Sequence, residues 1–216
     1  MKKALLAIAI GIIITLFVST YSNAVQADLA HNLVRFHVVA NSNSAEDQEL
    51  KHRVRDRIIK EMQEQFEVSD DIESTKKIIR DNMQRIEEIA RDEIRKSNKD
   101  YPVSVSLGNY PFPTKVYGEI TLPAGKYEAL RIVIGEGEGE NWWCVLFPPL
   151  CFVDATHGEM PEESKQRLKN VLSEEEYKII TSANKEDEIP VQIKFKVVEW
   201  WQNSKIKIQT ALNGTK

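Results

Sequence analysis

Motifs that carry chemistry are scarce in this sequence. Its four histidines, His31, His37, His52 and His157, stand apart without HExxH or any paired spacing, so a zinc hydrolase would have to be assembled from distant segments. No GxSxG occurs, and no Ser–Lys pair stands at a recognised spacing, which removes the serine-hydrolase signatures. Only two cysteines are present, Cys144 and Cys151, and CxxC spacing is absent, so a cysteine metal site is disfavoured. No metal and no cofactor is expected. Basic charge is also short: 29 Lys and Arg face 33 Asp and Glu, a net charge of −4. Lys2 and Lys3 are the only charged residues before Asp28, and without them 27 basic groups face 33 acidic ones, a net −6. Such a body is a poor nucleic-acid binder, because neutralising phosphates requires a basic excess. With 42% hydrophobic and 29% charged residues, collagenous, coiled-coil and largely disordered classes drop out.

What is present begins with an address. Met1-Lys2-Lys3 is a basic n-region, and Ala4 to Val18 is an apolar run of fifteen residues followed by small and polar residues. This is the pattern of a secretory signal. Ser22 with Ala24, or Val25 with Ala27, suits the small-residue positions before a cleavage site. The other reading is an uncleaved anchor, since the 24 uncharged residues between Lys3 and Asp28 are long enough to span the bilayer core. The expected organisation is residues 1–27 as signal peptide or N-terminal membrane anchor and 28–216 as one exported domain.

The body reads as α+β, a mostly antiparallel sheet with helices packed on one face. Leu33 to Ala40 alternates Val34, Phe36 and Val38 with Arg35 and His37, which is strand periodicity. Ser44 with Asp47 resembles a capping box, and Leu50, Val54, Ile58, Met62 and Phe66 follow at helical spacing. A second helix is expected from about Ile72 to Lys96, with Ile79, Met83, Ile86, Ala90 and Ile94 on its apolar face. Strands follow at Tyr101–Leu107, Val116–Leu122, Tyr127–Ile134 and Trp142–Phe147. Turns are expected at Asn109–Pro113, Pro123–Gly125 and Gly135–Asn141. Helices are expected again at Pro161–Leu172 and Ser173–Ser182, with Ser173 and Glu176 as a second capping box. Ile189–Trp201 fits either a strand or a helix.

Three constellations stand out, each with an ordinary alternative. Cys144 and Cys151, seven positions apart around Pro148-Pro149, fit a disulfide in an exported chain, worth about 2.5 kcal/mol by loop closure. Two buried free thiols are the alternative. A nucleophilic cysteine is disfavoured, since the apolar surroundings suppress the thiolate. Gly135 to Glu140 alternates glycine with carboxylate; it lacks the EF-hand pattern and repels phosphate, leaving a mobile acidic hairpin tip or a contact for a basic partner. Finally, Tyr110 and Phe112 between prolines, with Trp142-Trp143, are either stiff contact loops or ordinary core.

With these segments laid out, the chain resembles the stage II sporulation protein R family. The resemblance rests on Arg35-Phe36-His37-Val38-Val39-Ala40-Asn41-Ser42 with Glu46-Asp47-Gln48, on Leu107-Gly108-Asn109-Tyr110-Pro111-Phe112-Pro113-Thr114-Lys115, and on Leu122-Pro123-Ala124-Gly125-Lys126-Tyr127. It continues through Asn141-Trp142-Trp143-Cys144-Val145-Leu146-Phe147-Pro148-Pro149-Leu150-Cys151-Phe152. It implies a signalling protein without catalytic residues, secreted from the forespore into the intermembrane space. There it acts on a membrane-embedded aspartic protease of the mother cell, which cleaves the precursor of sigma factor sigma-E. Docking on that partner is assigned to Tyr110, Phe112, Trp142 and Trp143, with Glu136 and Glu138 as electrostatic help. The competing expectation is an exported peptidoglycan hydrolase drawing on His37, His157 and Asp154. A third is a structural protein anchored at the wall or membrane.

Overall fold

In the computed structural model, residues 26–69, 71–151 and 162–182 are described, with residues 10–13, 15, 16 and 20 of the N-terminal segment. Most of the expected signal segment, together with Asp154, His157 and Ile189–Trp201, lies outside the described residues. Among those described, no helix is long and apolar enough to cross a membrane.

The first strand, β1 (Val34–Val39), is buried along its whole length. It leads into α1 (Ala45–Glu67), where Ser44 caps the helix by accepting a hydrogen bond from the Asp47 amide. The expected box is half formed, because the Asp47 carboxylate turns back to Ser42 and Asn41 instead. Leu50, Val54, Ile58, Met62 and Phe66 are buried as one stripe, each worth about 1.5–3 kcal/mol against exposure.

The single helix expected over Ile72–Lys96 is two, α2 (Ile72–Asp81) and α3 (Met83–Lys96). Asn82 breaks it: its backbone leaves the helical region, and its side-chain amide donates to the Ile78 carbonyl and to Gln65 of α1. An amide that bonds locally competes with the helix ladder.

The sheet order is β2 (Val103–Phe112), β5 (Gly125–Ile134), β1 and β6 (Asn141–Phe147). The β1–β5 pairing is parallel, and β1–β6 and β2–β5 are antiparallel. The fold is therefore α+β with a mostly antiparallel sheet. Two turn and strand expectations are corrected. Residues 109–112 continue β2 rather than turn, and Pro111 is accommodated because β2 is an edge strand. Val116–Leu122 is a small hairpin, β3 (Lys115–Tyr117) and β4 (Ile120–Leu122), turned at Gly118 with φ +57°.

Alternation along the strands divides the core in two. Phe36, Val38, Leu130, Ile132, Ile134 and Leu146 pack against α1, α2 and α3. The opposite face, with Phe112, Tyr127, Ala129 and Val145, is covered by Leu29, Leu33, the β3–β4 hairpin, α4 (Glu162–Val171) and α5 (Glu174–Ser182). The second capping box is complete: the Ser173 amide donates to Glu176 at 2.7 Å and the Glu176 amide to Ser173 Oγ at 3.3 Å.

Candidate functional site

The face of the sheet away from α1–α3 gathers the polar side chains of β1. Strand alternation sends Arg35 and His37 there while Phe36 and Val38 enter the helix-side core. Arg35 is 0% exposed. Its Nε donates to the Cys144 carbonyl and one terminal nitrogen to the Tyr117 hydroxyl, each at 2.9 Å. The guanidinium lies 4.4 Å from the Phe112 centroid, 5.0 Å from that of Tyr127 and 5.7 Å from that of Tyr117. Three ring faces and two acceptors thus hold the cation where no carboxylate pairs with it among the described residues. The cage shapes its tyrosines: burial pushes the Tyr127 and Tyr117 hydroxyls up, against the pull of Arg35. Tyr127 donates to the Pro123 carbonyl at 2.7 Å.

One step along β1, His37 is 5% exposed. It stacks on Trp143 with ring centres 4.0 Å apart, and its Nε2 lies 2.7 Å from Asn141 Oδ1. Burial drives its pKa down to about 4; the Asn141 bond opposes this, and the Arg131 and Arg35 charges add to it. His37 is therefore neutral at physiological pH; with the Asn141 oxygen as acceptor its Nε2 donates, and its buried Nδ1 has no hydrogen-bond partner among the described residues.

The residues expected to dock on a partner fall in three places. Tyr110, Phe112 and Trp143 share the Arg35 face, whereas Trp142 points to the helix side, edge-on to Phe36 at 5.7 Å and beneath Arg55 at 4.7 Å. Adjacent positions on a strand point oppositely, so the two tryptophans serve different surfaces. Phe112 is 3% exposed; it supports Arg35 and Trp143, the latter at 4.8 Å between ring centres. Tyr110 is half-buried, its hydroxyl donating to Ser106 at 2.8 Å.

Glu136 and Glu138 are exposed on a loop that is tied down rather than a free tip. Asn41 Oδ1 accepts from the Glu136 amide, Asn43 Oδ1 from the Glu140 amide, and the Asn41 and Ala40 carbonyls from Glu138 and Gly139. Lys51 closes the clamp on the Glu140 carbonyl at 3.0 Å. Gly135 and Gly137 take φ +60° and +66° against this loop, conformations that favour glycine. Beneath lies Asp47: burial pushes its carboxyl up, but hydrogen bonds from Ser42, Asn41 and Tyr101 and the Lys99 charge outweigh this and hold it below the usual range.

Cys144 and Cys151 are joined as a disulfide with Cα atoms 5.6 Å apart. No group of three or more metal-ligating side chains occurs among the described residues. Sequence reasoning singled out the aromatics but missed Arg35 and Arg131 as the cations they surround. The available signal was an arginine at an inward position of a buried strand.

Comparison with known proteins bears on these same residues. The family model for stage II sporulation protein R matches residues 30–157. Stage II sporulation protein R of Bacillus subtilis strain 168 is 39% identical over 176 residues, 77% of this chain and 79% of the relative. No solved structure matches. The matched segment contains β1, the caged Arg35, the clamped acidic loop and the disulfide, so the architecture just described is the family's own territory: the chain belongs to the stage II sporulation protein R family, and its role is in sporulation.

Proposed function

We propose that this chain is an exported, non-enzymatic activator that docks on a membrane-embedded aspartic protease and thereby triggers processing of the sigma-E precursor. Family membership carries the sporulation context. The observation that carries the mode of action is the pair of partly accessible aromatics beside the Arg35 cage. Tyr110 and Trp143 are half-buried on strands, held by Ser106 and His37. Rigid aromatic groups on a packed scaffold suit recognition of a protein surface, since little entropy is lost on binding. The described part of the N-terminal segment supports export: Ile10, Ile12, Ile13 and Leu16 are exposed apolar side chains.

To activate, the domain must bind the partner's active arrangement more tightly than its inactive one. A rigid face meets that requirement by contributing a fixed shape that only one arrangement complements. Co-expression of this chain, the protease and the sigma precursor in a non-sporulating host tests the reading. Precursor cleavage that requires this chain supports it; cleavage indifferent to the chain removes it. A peptidoglycan zymogram addresses the enzyme alternative, which predicts lysis that is lost with His37→Ala.

A further inference from the structure

Beyond the Arg35 cage, one row crosses the same face: Ser106 of β2, Arg131 of β5, His37 of β1 and Trp143 of β6 stand in register. Caged Arg35 is wholly buried and also keeps one terminal nitrogen without a hydrogen-bond partner among the described residues; Arg131 differs in being only half-buried. Its guanidinium carbon lies 5.1 Å from the Tyr110 ring centre, yet its Nε is shielded from water and has no hydrogen-bond partner among the described residues. No ion pair to it occurs among the described residues, and the residue as a whole is half-buried and reachable.

Among the described residues, no acid on the adjoining strand rows meets that need. The row on one side holds Gly108, Ala129, Arg35 and Val145, and the row on the other Ser104, Val133, Val39 and Asn141. Glu128, the nearest carboxylate along β5, points to the helix side and pairs with Lys76 at 2.7 Å. The loop carboxylates Glu136, Glu138 and Glu140 are exposed beyond the strand ends. Neutral His37 adds no counter-charge.

We propose that Arg131, between the Tyr110 ring and the His37–Trp143 stack, is the receptor for an acidic side chain of the polypeptide partner. Charge complementarity selects the carboxylate, and an arginine fork receives it with two parallel hydrogen bonds. The flanking aromatic rings exclude water from the pair, which strengthens it. This site rests on the activator reading and names the contact that reading requires.

The test uses the full chain in the co-expression assay with Arg131→Glu, Arg131→Gln and, as a control of equal charge change, Arg95→Glu on exposed α3. Arg131→Glu is expected to lower precursor cleavage about a hundredfold and Arg131→Gln about tenfold, the difference being repulsion added to loss. Arg95→Glu stays within about twofold of the parent. A change of Asp or Glu to Lys at one outward-facing position of the protease restores cleavage with Arg131→Glu but not with the parent chain. Thermal unfolding of the purified variants checks the fold, and Arg131→Gln, which removes no hydrogen bond found among the described residues, keeps the test valid if the glutamate variant is unstable. Parent-like cleavage by a folded Arg131→Gln overturns the site, as does failure of every acidic position to rescue. Cleavage without any need for the parent chain overturns the activator reading itself and the site with it.

Discussion

The Arg35 guanidinium lies 4.4 Å from the Phe112 ring centre and so couples β1 to β2 across the intervening β5. A buried cation held by rings, one carbonyl and one hydroxyl makes its surroundings intolerant of losing either side. Arg35→Lys keeps the charge but loses the planar stacking and the two-point donation, and is expected to cost about 2–4 kcal/mol in denaturant unfolding. Phe112→Ala is expected to cost about 3–5 kcal/mol, and the pair to be non-additive by about 1 kcal/mol or more. Additive losses would show that the cage is not a unit.

Tyr110→Ala should behave differently from Phe112→Ala, although two residues apart. Tyr110 is half-buried with one hydroxyl bond to Ser106, so its removal should cost about 1 kcal/mol of stability while lowering precursor cleavage about tenfold or more. Equal effects of the two alanines on stability would place Tyr110 in the core rather than on the contact face.

The pH dependence follows from His37. Unfolded, the imidazole titrates near 6.5; folded, burial lowers it to about 4. Between these values the unfolded chain takes up a proton that the folded chain refuses. The stability contribution is complete above about pH 6.5 and declines as the pH falls towards 4, by up to about 3 kcal/mol. His37→Gln should flatten that part of the profile in urea unfolding measured at several pH values. An unchanged slope would contradict the buried neutral imidazole.

The order of the acidic loop is checked through its amides. Asn41→Ala removes the acceptor of the Glu136 amide and the side chain seated against Gly135. Hydrogen exchange at Glu136 should speed up about tenfold, with a stability loss near ~1 kcal/mol. Asn43→Ala should do the same at Glu140. Exchange unchanged in both would return the loop to the free tip that its glycines first indicated.

Local signals were legible in the sequence because their causes are local. The alternation of Val34, Phe36 and Val38, the stripe from Leu50 to Phe66 and the Ser173–Glu176 box each depend on neighbours within a turn or two. What stayed hidden depended on distant partners. Arg35 meets Cys144 and Tyr117 over 109 and 82 residues of chain, and strand order alone decides that both faces of β1 are covered. Pro111 resembled a turn because its tolerance comes from an edge position fixed by β5. The break at Asn82 was masked by an apolar pattern that continues through it. In the docking set, Trp142 and Trp143 look like one feature in sequence, but strand alternation assigns them to opposite faces.

On the proposed function, the exported body acts from outside on a membrane-embedded protease, which can be reconstituted in cells that lack every other sporulation protein. Purified residues 28–216 are added to spheroplasts of a non-sporulating host that make the protease and the sigma precursor. Cleavage of the precursor inside the cells is then followed against the dose added. Cleavage is expected to rise with dose, to saturate, and to be weakened by Arg131→Gln. A precursor that stays intact at every dose, or is cut equally without the added protein, would contradict the proposed function.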